Sequence, residues 1–176
     1  MANGPFDPET GELISRPPER EDLVMLCREL ESRGARYLVV GGFAVILAGL
    51  PRTTSDLDIV IDPSPENEAK VYAALATLPD GCVRELDAGD VSKYTVVRVA
   101  DEILVDLMAS ASGIDYEEAS KSMVIHEIDG VKIPFASPEL LYRMKVRAGR
   151  EKDRGDIYFL EQLFKSQGKL PPTNIW

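Results

Sequence analysis

The sequence predicts an α+β domain, a mixed β-sheet with helices packed on it and two helices at its C-terminal end. Three observations carry this. Helical and extended patterns alternate through the first part of the chain. Short apolar segments separated by turn dipeptides follow, and two helix-periodic stretches close it. Strands and helices mixed in this order build a sheet with helices against it.

The first helix is expected from Pro17-Pro18, with Glu19, Glu21 and Asp22 at its positive end. Leu23, Leu26, Cys27 and Leu30 then repeat at helical spacing up to Gly34. "RYLVV" reads as a buried strand, "GGFAVILAGL" as a short helix opened by two glycines, and "SDLDIVID" as a second strand ended by Pro63. "SPENEAKVYAALATL" is a helix, with Ser64 as its expected N-cap. "CVREL", "KYTVVRV" and "EILVDLM" are expected as an antiparallel meander, turning at "DAGD" and at Asp101-Glu102. "GIDYEEAS" suggests a short helix. Asp129-Gly130 marks a tight hairpin between "SMVIHEI" and "VKIPFA". "SPELLYRMKVRAG" has Ser137 as cap, Pro138 at its first position and Gly149 as stop, and "REKDRGDIYFLEQLF" is the last helix.

A chain of 176 residues suits one domain with a proper core. That domain is expected over residues 19–166, between a flexible arm at 1–18 and a tail at 167–176. No apolar run is long enough to span a membrane, and the N-terminus lacks the pattern of a secretory signal. Cys27 and Cys82 form neither a disulfide framework nor a metal-ligand spacing. A cytoplasmic protein is the expectation. The net charge of −10 argues against broad binding to nucleic acid, which depends on Lys and Arg neutralising phosphates.

The chemistry concentrates in "VVGGFAVILAGLPRTTSDLDIVID". Asp56 and Asp58 alternate with Leu57 and Ile59, so on a strand both acids share one face, roughly 7 Å apart at the backbone. Arg52 and Thr54 join that face if the extended conformation begins early, and they either pair with the aspartates to hold the loop or contact substrate. Buried carboxylates are costly unless something positive neutralises them. Oxygen ligands suit Mg²⁺ or Mn²⁺. Gly41-Gly42, between strand and helix, lets backbone N–H groups approach a phosphate, although glycines also serve ordinary tight turns. Asp106, an acid inside apolar "EILVDLM", is the candidate third carboxylate. Asp153 and Asp156 are expected to pair with neighbouring Arg or Lys, and His126 to be structural.

The ordered set Val40-Gly41-Gly42, Asp56-Leu57-Asp58-Ile59 and Val105-Asp106-Leu107 resembles the nucleotidyltransferase superfamily that includes DNA polymerase beta. "PRTTSDLDI" and "MKVRAGREKDRGDI" look like its small bacterial branch, related to AbiEii-type toxins and minimal nucleotidyltransferases. The resemblance implies a mixed-sheet nucleotidyltransferase fold and two-metal transfer of a nucleoside monophosphate from an NTP such as ATP to an acceptor hydroxyl. It assigns metal binding and catalysis to Asp56, Asp58 and Asp106. Nucleotide contacts fall to Gly41, Gly42, Arg52, Thr54, Lys145 and Arg150. Arg147 and Lys152 are further late basic residues, and Lys145 is the first choice for reaching phosphate. Two positions depart from the pattern. Gly42 stands where many members have a small hydroxyl residue, and Ala48 where relatives often carry His.

The acceptor stays open among an RNA end, a protein hydroxyl and a small molecule. A toxin–antitoxin setting, with an antitoxin-like partner protein, is implied by the branch. Two other readings remain: a catalytically weak binding module on the same fold, and a metal-dependent glycosyltransferase.

Overall fold

The computed structural model describes residues 7–9 and 14–175. Most of the arm expected at 1–18, and Trp176, lie outside the described residues. The elements in chain order are α1 (Arg20–Ser32), β1 (Tyr37–Val40), α2 (Gly41–Leu47), β2 (Leu57–Ile61), α3 (Pro65–Leu75) and α4 (Asp90–Lys93). Then come β3 (Val97–Ala100), β4 (Leu104–Met108), β5 (Ser110–Ala111), β6 (Ile114–Asp115) and α5 (Tyr116–Ser120). β7 (Met123–Ile128), β8 (Val131–Ala136), α6 (Pro138–Ala148) and α7 (Arg154–Ser166) complete the set.

Six strands form one mixed sheet in the order β3-β4-β2-β1-β8-β7. β1 runs antiparallel to β2, β2 parallel to β4, and β1 parallel to β8. In β2, Leu57, Ile59, Val60 and Ile61 are all buried. Successive side chains point to opposite faces, so this central strand is covered on both sides. α1 packs on β8 and α3; α2 packs on β2 and α6; α6 packs on α7. Among the described residues no helix is long and apolar enough to cross a membrane.

Local chemistry sets most boundaries. Glu19 and Asp22 form a reciprocal capping box at the start of α1. Ser137 accepts a hydrogen bond from the Leu140 N–H to open α6, and Gly149 closes it. The hairpin between β7 and β8 turns at Asp129-Gly130, both at positive φ, the signature of a tight two-residue loop. Ser64 does not cap α3 through its side chain; its hydroxyl accepts from Arg36 instead.

Two expectations are corrected. "CVREL" is a 3-10 turn over Cys82–Glu85, not a strand. The buried Asp101 carboxylate accepts from the Asp80 and Cys82 N–H groups, which folds this segment back on itself. The expected three-stranded meander therefore reduces to β3 and β4, and β4 lies beside β2 rather than ending a separate unit. Near the N-terminal end of the described residues, Ser15 donates to the Asp101 carbonyl and Arg16 grips Asp22 with both terminal guanidinium nitrogens.

Candidate active site

Sheet register builds the site. Val40 pairs with Asp58, Asp58 with Asp106, and Asp106 with Arg98, so four neighbouring strands present one row of residues on one face. Asp56 lies in the bend just before β2 rather than inside the strand. Even so, ligand oxygens of Asp56, Asp58 and Asp106 lie within 4.8 Å of one another. Asp106 is buried, and the other two are partly so.

Because Val40 faces Asp58, the next residue along β1 begins the turn directly beside that carboxylate. Gly41 has φ +65°, and a Cβ placed there would lie 2.0 Å from Asp58 Oδ2. Only glycine fits, for conformation and for space. At Gly42 a Cβ would lie 2.3 Å from Thr54 Oγ1, so the Thr54 side chain fills the room that a side chain at position 42 would need. The Thr54 hydroxyl itself donates to the Asp56 carbonyl at 3.1 Å and lies 3.5 Å from Asp56 Oδ1. Thr54 thus holds the bend that carries Asp56.

All nine residues expected at the site line one open cleft of about 810 Å³. Their partners differ from expectation in three cases. Arg52 pairs with Asp156 at 2.5 Å, not with Asp56 or Asp58. Lys145 is buried, its ammonium 2.9 Å from Asp153 and 2.8 Å from Asp156, so the first choice for phosphate is already neutralised. Arg150 binds Asp153 through Nε at 2.6 Å. Asp153 and Asp156 are the expected partners of basic residues. Arg147 is absent from the cleft lining and donates to the Ile175 carbonyl. Lys152 lines the cleft, and among the described residues it carries no ion pair.

Arg98 is the residue sequence reasoning missed. Its Nε and Nη2 hold both oxygens of Asp106 at 2.8 and 2.7 Å, and Nη2 lies 3.5 Å from Asp56 Oδ2. The signal was present: Val97 and Val99 are buried, so Arg98 faces the other way on the strand that flanks Asp106.

The three carboxylates are under-neutralised. Burial, then the charges of Asp56 and Asp106, push the Asp58 carboxyl up to about 6, against the pull of Lys145 and Arg150. A set of hard oxygen donors this close together, one of them raised by burial and then by its neighbours' charge, fits a divalent cation such as Mg²⁺ or Mn²⁺.

Fold and site together define the nucleotidyltransferase class. The chain belongs to the family described as "nucleotidyl transferase of unknown function" (DUF2204), whose model matches residues 19–171. Among curated proteins none matches the chain in sequence. Solved structures share the fold. An antigenic nucleotidyltransferase-like protein from Paracoccidioides brasiliensis is 21% identical with a TM-score of 0.52, over 85% of this chain and 78% of that one. A Thermotoga maritima protein assigned provisionally as a nucleotidyltransferase is 19% identical with a TM-score of 0.53, over 91% and 98%. The lincosamide antibiotic adenylyltransferase LnuA, in its lincomycin-bound form, is 18% identical with a TM-score of 0.51, over 84% and 99%.

Proposed function

We propose that this chain moves a nucleoside monophosphate from an NTP to an acceptor hydroxyl, breaking the α–β phosphoanhydride bond and releasing pyrophosphate, and that it does so with a divalent metal ion held by Asp56, Asp58 and Asp106. The observation that carries the reading is the convergence of these three carboxylates within 4.8 Å, beside a turn whose first glycine abuts Asp58. A divalent ion bound there would polarise the α-phosphate and activate the acceptor hydroxyl.

The chain's own residues divide the remaining work. The Gly41-Gly42 backbone, which lines the cleft beside Asp58, is assigned to the triphosphate. Thr54 fixes the bend of Asp56. Lys152, with no carboxylate engaging it, is the cation available to phosphate, whereas Lys145 builds the wall behind it. Asp106, beyond Asp58 along the row, is assigned the proton of the acceptor hydroxyl. The acceptor best supported is a small molecule. The surface is acidic overall, which opposes long RNA, and the fold is shared with LnuA, whose solved form holds lincomycin.

A second reading, a binding module with weak catalysis, is favoured by the grip of Arg98 on both oxygens of Asp106. One experiment separates the two. The protein is incubated with α-labelled NTPs, Mg²⁺ and cell extract, and label transferred to any acceptor is measured. Transfer that stops in EDTA is the expected result. Binding of Mg-NTP by calorimetry with no transfer would leave the module, and equal binding by wild type and Asp58→Asn would sink the metal-dependent enzyme.

A further inference from the structure

Arg98 has a place in the site that goes beyond the assignments above. Its guanidinium meets Asp106 side-on, with one nitrogen on each oxygen, and reaches toward Asp56 with the second of those nitrogens. A fork of this kind is the most directional cation–carboxylate contact a protein can make. It takes one lone pair of each oxygen with which Asp106 would ligate an ion, and sets a positive charge beside that ion. Yet the Arg98 side chain is 54% exposed while Asp106 is 9% exposed. The cation can therefore swing out into solvent, and the carboxylate cannot. Ion pairs with one exposed member are held only modestly.

We propose that Arg98 is the cluster's own counter-ion, a positioning residue that keeps Asp106 drawn up beside Asp58 in the metal-free protein and competes with a divalent ion for it. The inference rests on the metal-dependent reading of the site. It adds that the protein binds its ion against an internal competitor, at reduced affinity, in exchange for an assembled site in the ion's absence. Three carboxylates with ligand oxygens within 4.8 Å of one another would otherwise repel. Arg98 is the only cation among the described residues that pairs with any of the three.

The test is a Mn²⁺ titration by calorimetry on wild type, Arg98→Gln and Arg98→Lys, with melting temperatures in EDTA and in saturating Mn²⁺. Removing one positive charge beside the ion is expected to tighten Mn²⁺ binding about tenfold in Arg98→Gln, toward the weak end of charge–charge effects because the group is half exposed. The same variant should melt lower than wild type in EDTA and show a larger rise with Mn²⁺. Arg98→Lys, which keeps the charge and loses the fork, should lie between, and it stands in if Arg98→Gln fails to fold. If wild type binds Mn²⁺ and the variants bind it equally or more weakly, Arg98 is not a competitor and the proposal falls. If none of the three binds Mn²⁺, the metal reading itself is overturned, and this inference with it.

Discussion

Two groups of acids stand at the cleft, Asp56, Asp58 and Asp106 on its sheet wall and Asp153, with Asp156 behind it, on its helical wall, and they are neutralised in opposite ways. On the helical wall, Asp153 and Asp156 are met by Lys145, Arg150 and Arg52, with every pair at 2.9 Å or less. Against the burial that would raise it, hydrogen bonds from Arg150 and Lys145 hold the Asp153 carboxyl below its ordinary value. On the sheet wall, Asp56, Asp58 and Asp106 share one half-exposed arginine, and the Asp58 carboxyl is pushed up to about 6. Asp58 and Asp153, both lining this cleft, thus carry opposite shifts. The paired group reads as architecture, because nothing is left for it to bind. The crowded group reads as a site, because its charge is completed only from outside.

Asp58→Asn is the largest test of that contrast. On the sheet wall it removes one repelling charge and one ion ligand. Transfer activity is expected to fall by about a thousandfold, the ~4 kcal/mol of barrier that metal-ion stabilisation typically supplies. Metal-free stability, by contrast, should rise. A melting temperature in EDTA that drops together with activity would mean that Asp58 is structural like its counterparts opposite.

Lys145→Met probes the other wall. It leaves Asp153 and Asp156 buried with one cation fewer each, and removing one member of such a network costs about 3 kcal/mol or more. Urea denaturation should show this as a lower midpoint. A loss well under 1 kcal/mol would place Lys145 among cations free for phosphate, as the sequence alone suggested, and would dissolve the distinction between the walls.

How far the sequence reaches follows from what each feature depends on. Asp56 and Asp58 are legible because strand alternation fixes their common side locally, and Asp106 because an acid amid apolar residues stands out. Their convergence depends on β2 lying parallel to β4, a pairing between segments far apart in the chain with no local signal. The alternation of Val97, Arg98 and Val99 gave the side of Arg98 but not its partner: a two-residue turn at Asp101-Glu102 would set residue 98 opposite residue 105, whereas the strands pair Ala100 with Leu104 across a three-residue turn and so bring Arg98 opposite Asp106. Asp101 hid the fate of "CVREL", because the N–H groups it binds are some twenty residues away. The inward aim of Lys145 depends on how α6 meets the 3-10 turn over Glu151–Asp153, which spacing along one helix does not reveal.

The smallest effect is in pH, and it distinguishes the walls within one titration. Asp58 has a folded pKa near 6, above its ordinary 3.8. The folded state therefore holds that proton more tightly than the unfolded one, and stability rises as pH falls from about 6 toward 3.8. Asp153 is shifted the other way, so its contribution is present above 3.8 and is lost as pH falls through its lowered folded value. In EDTA the wild-type urea midpoint should climb between about pH 7 and pH 5 and collapse only in stronger acid. Asp58→Asn should lose the climb and keep the acid collapse. Wild type and Asp58→Asn tracking each other across the whole range would show that the Asp58 carboxylate is not crowded, and the two acid groups would then differ in partners but not in strain.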